Sequence, residues 1–282
     1  MKSFSTLSEI NNMSRSEFEQ TCIENSDHLY IGDDTVLCKV LSRHKMYVDS
    51  KDMGITPHLI MDGYWESWIT KLLAQIVQPG FICLDIGANF GYFSILMSEL
   101  SGTTGKTFAI EPNPRIAELL RSTRYVNGGK FEVIETALAD KKGEAILTIT
   151  DRELGGGTIK KNEMKKGRSQ VVVQTISVDE LVKEKKIGRV DIIKMDVEGV
   201  EPLVFEGMQE TIAANPQIQI IIEYSPSIYE DAQKFTDYLF AEFTVCRVED
   251  FVVITELEKS DIPRLLKIPD HADLYLRRKQ IS

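Results

Sequence analysis

Phe81-Ile-Cys-Leu-Asp85-Ile-Gly87-Ala-Asn89-Phe-Gly91-Tyr92-Phe-Ser-Ile-Leu96 is the stretch on which the fold turns. Pro79-Gly80 opens it with a turn. The apolar run Phe81 to Leu84 is short enough for a buried strand. Asp85, Gly87, Asn89 and Gly91 follow at alternate positions. From Tyr92 to Leu100 the apolar residues Phe93, Leu96, Met97 and Leu100 recur at helical spacing. Strand, glycine-rich turn and helix in that order open a doubly wound α/β sheet. Such a turn lies at the carboxyl end of a strand, where these sheets bind ligands.

The glycines allow close backbone approach and positive φ. Asn89 tolerates the left-handed region better than most residues. The helix that follows offers free N–H groups and the positive end of its dipole to an anion. The turn fails the dinucleotide fingerprint G-x-G-x-x-G. Counting from Gly87, the second glycine falls on Asn89 and the third on Tyr92. What is present is Asp-x-Gly-x-Asn-x-Gly-Tyr, with an acid two residues before the first glycine. That suits S-adenosylmethionine, which carries an amine, a carboxylate and a sulfonium but no pyrophosphate. A tight turn with no ligand is the plain alternative, which the later motifs weaken.

The 282 residues suffice for one large domain with an appendage. The net charge of −10 argues against a broad nucleic-acid footprint. Cys22, Cys38, Cys83 and Cys246 lie far apart, in neither a disulfide framework nor a zinc spacing, so a reducing, cytoplasmic compartment is expected. His28, His44, His58 and His271 show no metal spacing, and no resident metal is expected. No stretch approaches the roughly 18 apolar residues that cross a bilayer. The N-terminus lacks the apolar core of a signal peptide.

Residues 1–60 read as a cap: a weak helical patch at Ser16 to Ile23, then short strands between Tyr30 and Val48. Residues 61–282 read as the main domain. Gly63-Tyr64-Trp65-Glu66-Ser67-Trp68 leads into a helix through Leu72, Leu73 and Ile76. Its aromatics suit a core as well as the wall of a cofactor pocket, and Glu66 is its candidate cofactor-binding residue. Thr107 to Ile110 is a second strand ending at Glu111, 20 residues beyond Gly91, where an acid can accept from ribose hydroxyls. Asn113-Pro114 starts a helix. Phe131 to Ile134 is a third strand, and Ala137 and Leu138 after it fall where an adenine would lie. Glu144 to Thr150 and Gln170 to Gln174 pair as strands. Between them come Leu154-Gly155-Gly156-Gly157-Thr158 and the basic residues Lys160, Lys161, Lys165, Lys166 and Arg168. These make either a solvated hairpin tip or a mobile lid over the substrate, with lysines for an anionic group.

A second informative stretch runs Val190-Asp-Ile-Ile-Lys194-Met-Asp196-Val-Glu198-Gly-Val-Glu201. It is a strand ending in carboxylates, with Lys194 and Asp196 on one face. Such a set suits proton removal from a hydroxyl, a divalent cation or substrate hydrogen bonds. Glu198 and Glu201 also suit the first turn of a helix, where the dipole favours acids. Pro202 to Ala213 reads as one helix. Ile218 to Ile222 is a strand ending at Glu223 and Tyr224, two substrate-pocket candidates. A helix follows to Ala241. Phe243 to Val248 and Phe251 to Thr255 form an antiparallel pair. The tail from Leu265 reads as mixed and basic.

Asp85-Ile-Gly-Ala-Asn-Phe-Gly-Tyr92, Glu111-Pro-Asn-Pro114 and Lys194-Met-Asp-Val-Glu-Gly-Val-Glu201, followed by Ile-Glu-Tyr224, together resemble the FkbM family of S-adenosylmethionine-dependent methyltransferases. The resemblance covers about residues 60–270 and is specific as a set. It implies a class I methyltransferase (Rossmann-like) fold: a seven-stranded, mostly parallel sheet of order 3-2-1-4-5-7-6, strand 7 antiparallel, with helices on both faces. It implies the cofactor at Asp85, Gly87, Asn89, Gly91 and Tyr92, with Glu111 on the ribose. It implies O-methylation of a hydroxyl on a sugar or secondary metabolite. The resemblance leaves the base open; Asp196 is the expected one, with Lys194 and Glu198 as alternates. The N-terminal 60 residues match nothing nameable and would shape the acceptor site or an oligomer contact.

A non-catalytic, methyltransferase-like scaffold is the reading from another class. The polar groups kept at Asp85, Glu111 and Asp196 stand against it. A nicotinamide enzyme is disfavoured by the failed fingerprint. A nucleic-acid N-methyltransferase is disfavoured by the lack of an Asn-Pro-Pro-Tyr-type run and of a basic face.

Overall fold

In a computed structural model, residues 3–159, 167–249 and 254–279 are described. The N-terminal segment builds a small sheet before the doubly wound unit begins. Helix α1 (Arg15–Asn25) starts at a Ser14 capping box completed by Glu17. Strands β1 (His28–Gly32), β2 (Thr35–Val40) and β3 (His44–Asp49) form an antiparallel meander, and α2 (Thr56–Met61) follows. This sheet docks on the main domain through β3. Tyr47 N donates to Thr123 Oγ1 at 3.0 Å, and Arg115 Nε donates to Asp49 Oδ2 at 2.8 Å. Phe4, Leu7, Ile10 and Phe18 share one apolar cluster with Leu72, Leu96 and Leu120, so the segment is built into the core on one face of the main sheet.

The doubly wound unit then alternates. It runs α3 (Ser67–Ile76), β4 (Ile82–Ile86), α4 (Tyr92–Ser101), β5 (Lys106–Ile110), α5 (Pro114–Val126) and β6 (Glu132–Ile134). A side sheet comes next: β7 (Ala137–Leu138), β8 (Gly143–Thr150), β9 (Glu153–Thr158) and β10 (Arg168–Ile176). The chain returns through α6 (Val178–Glu184), β11 (Ile192–Met195), α7 (Glu201–Glu206), α8 (Gln209–Ala214), β12 (Gln219–Tyr224) and α9 (Ala232–Glu242). It ends with β13 (Phe243–Val248), β14 (Ile254–Glu256), α10 (Ile262–Leu265) and β15 (Ala272–Arg278).

The main sheet has the order β6-β5-β4-β11-β12-β15-β13-β14. β6, β5, β4, β11 and β12 are parallel, and β15 is antiparallel to both β12 and β13. The order 3-2-1-4-5-7-6 of a class I methyltransferase is thus present, with β14 as an eighth, edge strand where seven were expected. β14 exists because the chain after β13 turns straight back, Val248 opposite Ile254. Phe251 to Val253 of that expected strand lie outside the described residues.

Two further expectations are corrected. The tail contains β15, whose Leu274 and Leu276 are buried in the core while Arg277 is exposed; the two arginines at its end hide the strand in the sequence. The single helix expected from Pro202 is two, α7 and α8, broken at Gly207-Met208. A Cβ on Gly207 would lie 2.2 Å from the Ala139 carbonyl oxygen, so close backbone packing sets the break.

Candidate active site

Three strand-end loops meet at the carboxyl edge of β4, β5 and β11. In the β4–α4 turn, Gly87 (φ +78°) and Asn89 (φ +50°) take the left-handed conformation. A Cβ on Gly87 would lie 1.8 Å from the Asp196 carbonyl oxygen, so only glycine lets the first and third loops touch. Glu111, at the end of β5, ties the first loop to the second. It accepts from Asn89 N at 3.0 Å and from Asn113 N at 2.8 Å. Gly91 serves the helix rather than a cavity: it caps α4 at φ +98°, and a Cβ there would meet the Leu120 side chain at 2.5 Å.

Asp85 is fully buried at the end of β4. One carboxylate oxygen accepts from Ser94 Oγ, and the other, Oδ1, has no partner among the described residues. Burial pushes its carboxyl up to about 6, against the pull of Lys194. Burial likewise pushes Glu111 up to about 7, against the two backbone N–H groups it accepts.

The loops open into two adjoining cavities. The larger, of about 190 Å³, is lined by Asn89, Tyr92, Lys194, Asp196, Glu198 and Glu223, with Trp65 and Glu66 from the start of α3. The smaller is lined by Glu111, Thr136, Ala137 and Leu138, with Leu147 and Val200 as apolar wall. Gly87, Asp196 and Gly155 border both. The sequence candidates Asn89, Tyr92, Glu66, Lys194, Asp196, Glu198 and Glu223 therefore meet in one space, and Glu111, Ala137 and Leu138 in the next.

Lys194 is buried and donates to Asp196 Oδ2 at 3.0 Å, with its Nζ 5.1 Å from the Phe93 ring centroid. Burial works against its charge, but Asp196, Glu66 and Asp85 outweigh that and hold Lys194 above its ordinary value. Glu66 caps α3 from the left-handed region (φ +35°, ψ 69°), a conformation costly for a non-glycine residue. Burial pushes its carboxyl up to about 8, and that of Glu223 up to about 7.

Asp85 and Gly91 line neither cavity, and two substrate candidates fall elsewhere. Tyr224 is fully buried, its hydroxyl shared with Thr236 and its ring against Tyr229 and Phe235. Strand alternation sends it to the core face, opposite its neighbour Glu223. Glu201 lines neither cavity; it accepts from Val197 N at 3.1 Å and Gly199 N at 3.4 Å, holding the third loop.

Further lining residues come from the N-terminal segment, where no site residue was expected, and from the glycine triplet, expected as a hairpin tip or a lid. Asp52, Gly54 and Ile55 bring the N-terminal segment to the larger cavity, and Gly155 to Gly157 place β9 over both. Asp52 Oδ1 accepts from Ile55 N and Thr56 N at 3.0 Å, and Oδ2 from Leu154 N at 2.9 Å. Asn113 Nδ2 donates to the Leu154 carbonyl at 3.0 Å. The only sequence signal was the glycine triplet itself. Of the basic run beyond it, Lys160, Lys161, Lys165 and Lys166 lie outside the described residues, while Arg168 opens β10. Among the described residues no group of three or more His, Cys, Asp or Glu is arranged to hold a metal, and no helix is long and apolar enough to cross a membrane.

The family described as Methyltransferase FkbM domain matches residues 85–273. The chain is 27% identical over 198 residues to the hexuronic acid methyltransferase AglP of Haloferax volcanii, covering 69% of this chain and 78% of that protein. It is 38% identical over 63 residues to a protein-L-isoaspartate O-methyltransferase of Aeropyrum pernix, covering 22% of this chain and 24% of that one. A solved O-methyltransferase from Bacillus cereus, in complex with SAH, superposes with a TM-score of 0.42 at 15% identity, covering 73% of this chain and 78% of that one.

Proposed function

The chain belongs to the FkbM methyltransferase family, and from that premise we propose that it moves a methyl group from S-adenosylmethionine to a hydroxyl oxygen of a small-molecule or sugar acceptor. One observation carries the reading. The glycine turn of β4 and the carboxylate Asp196 of β11 border the same cavity, so a cofactor seat and a proton acceptor share a wall.

The residues present fit the cofactor. Asp85 lines neither cavity, but its buried, unpartnered Oδ1, two residues before Gly87, suits an ammonium reached through water. Glu111 keeps lone pairs for two ribose hydroxyls beyond the two backbone N–H groups it accepts. Ala137, Leu138 and Leu147 give an apolar slot for a flat base. When bound, S-adenosylmethionine supplies a methyl group made electrophilic by its sulfonium.

The chain's own part is to place a hydroxyl and take its proton. Lys194 stays charged, so it is no proton acceptor; it fixes Asp196 in one orientation through their 3.0 Å bond. Asp196 accepts the hydroxyl proton as the oxygen gains its new carbon bond. Phe93 and Trp65 wall the cavity against water. In-line placement of the hydroxyl provides much of the rate.

Calorimetric titration with S-adenosylmethionine, S-adenosylhomocysteine and NAD tests the cofactor. The two adenosyl ligands bind and NAD does not; binding of NAD alone overturns the reading. Asp196→Asn lowers kcat by about 100-fold while the Kd for S-adenosylhomocysteine stays within about twofold. An Asn variant of undiminished kcat dismisses Asp196 as the proton acceptor.

A further inference from the structure

The larger cavity has a wall that neither cofactor binding nor the proton step uses. Glu66 reaches it from the start of α3 and Glu223 from the end of β12. β12 lies beside β11 on the side away from β4 and β5, whose loops bound the smaller cavity. Trp68, in the first turn of α3, donates from Nε1 to Asp273 Oδ2 at 2.7 Å, and Asp273 sits opposite Glu223 in the β12–β15 register. The wall is therefore anchored by the sheet and by α3 together.

Its charge is one-sided. Asp196, Glu198, Glu66 and Glu223 line the cavity, while Lys194 is the sole basic residue among the described residues lining either cavity. Lys194 is already held by Asp196. His271 feels the charge of Glu223 but lines neither cavity, and its Nδ1 sits 3.5 Å from Asp270. Asp52 is set aside, because three backbone N–H groups satisfy it. S-adenosylmethionine brings one net positive charge at neutral pH, which offsets only part of this excess.

A second observation concerns Glu66 alone. It holds a left-handed backbone, yet no described residue donates a hydrogen bond to its carboxyl. Glu223 receives only the Ser225 hydroxyl, at 3.3 Å. Two acids kept in a strained or enclosed place, with one long hydrogen bond between them from the described residues, await donors from outside.

We infer that Glu66 and Glu223 are specificity-determining residues that select an acceptor presenting hydroxyl or ammonium donors to this wall and reject one presenting a carboxylate. The inference rests on the methyltransferase reading and deepens it. Above about pH 8, where Glu66 and Glu223 are ionised, an anionic group here meets like charge and no free cation among the described residues, which is discrimination by repulsion.

The test uses three methyl hexosides that differ at one carbon: the 6-hydroxy, 6-amino and 6-carboxylate forms. Each is titrated by saturation-transfer NMR at about pH 8.5, where both acids are ionised, into the full chain saturated with S-adenosylhomocysteine. The hydroxy and amino forms bind, and the carboxylate form binds at least about tenfold more weakly. Glu66→Gln combined with Glu223→Gln narrows that gap by about tenfold. Carboxylate binding equal to or tighter than the hydroxy form overturns the inference on the unaltered protein, whether or not the double variant folds. An unchanged gap in a folded double variant overturns the assignment to these two residues. Failure of S-adenosylhomocysteine itself to bind is a separate result, which removes the methyltransferase reading beneath it.

Discussion

The floor and the roof of the site are built by different means. The floor is the edge of a parallel sheet. Asp85, Glu111 and Lys194 sit at or beside strand ends, deep in the protein, and their loops are locked by backbone contacts such as Gly87 N and Ala88 N to the Ile110 carbonyl, both 3.0 Å. The roof is assembled from two distant stretches, Asp52 to Ile55 and Gly155 to Gly157. They are joined by the Asp52 carboxylate on Leu154 N and by Met53 N on the Arg152 carbonyl, and Asn113 ties Leu154 to the floor. A floor that packing over-determines can serve many related proteins unchanged. A roof held by a few hydrogen bonds can be remade without disturbing the sheet, so acceptor choice belongs there and to the wall of Glu66 and Glu223.

The hardest blow to this contrast falls on the floor. Gly87→Val sets a branched side chain on a left-handed backbone, where a Cβ alone would lie 1.8 Å from the Asp196 carbonyl oxygen. The loss of stability is about 3 kcal/mol or more, read as a lower denaturation midpoint, and cofactor binding disappears. A variant of normal stability would mean the first and third loops are free to part. Glu111→Ala is next. It weakens S-adenosylhomocysteine binding by about 10- to 100-fold, the range for a charged hydrogen-bond acceptor. Unchanged affinity removes the ribose assignment.

The roof gives a smaller response. Asn113→Ser keeps the cap on α5 but loses the donor to the Leu154 carbonyl. Release of S-adenosylhomocysteine, followed by stopped flow, quickens about fivefold, the equivalent of one ordinary hydrogen bond. An unaltered release rate would detach β9 from cofactor exchange.

The smallest effect is a pH dependence. Glu66, pushed up to about 8, and Glu111 and Glu223, up to about 7, bind protons more tightly folded than unfolded. Between the unfolded value of about 4.3 and these folded values the native state holds more protons, so their contribution to stability falls as pH rises. The ligand-free protein gains about 3 °C in Tm as pH is lowered from about 8 to about 6. Glu66→Gln removes the part of that gain nearest the alkaline end. Glu99 does not interfere: although burial opposes it, the His44 and Leu7 N hydrogen bonds and Arg43 hold it down at about 2. Its contribution is lost only as pH falls through that value. A Tm that falls as pH is lowered over the same span would mean that ion pairing outweighs the buried acids.

The same contrast explains what could be read from the residues alone. β4, its turn and α4 were legible because burial on both faces, positive φ and helical burial each leave a mark in residue type. β11 was legible for the same reason, and its carboxylates stood out by following an apolar run. β9 was not: glycine is depleted in strands, so Gly155-Gly156-Gly157 reads as a loop until β8 is seen to pair with it. Asp52 carried no signal, because a side chain that binds backbone N–H groups across a fold has no spacing rule. Tyr224 misled because nearness in sequence to Glu223 was taken as nearness in space, and a strand puts neighbours on opposite faces.

The placement of β15 also matters before the protein is finished. Strands emerge from the ribosome in chain order, but β15 lies between β12 and β13, both made earlier. Until residues 272–278 are translated, β12 has a bare edge and β13 has no seat in the main sheet. At about 5–20 residues per second that stage lasts on the order of seconds. A ribosome stalled just past β13 would hold out an unpaired, strongly apolar strand edge, and crowded polysomes would offer it the same edge on a neighbouring nascent chain.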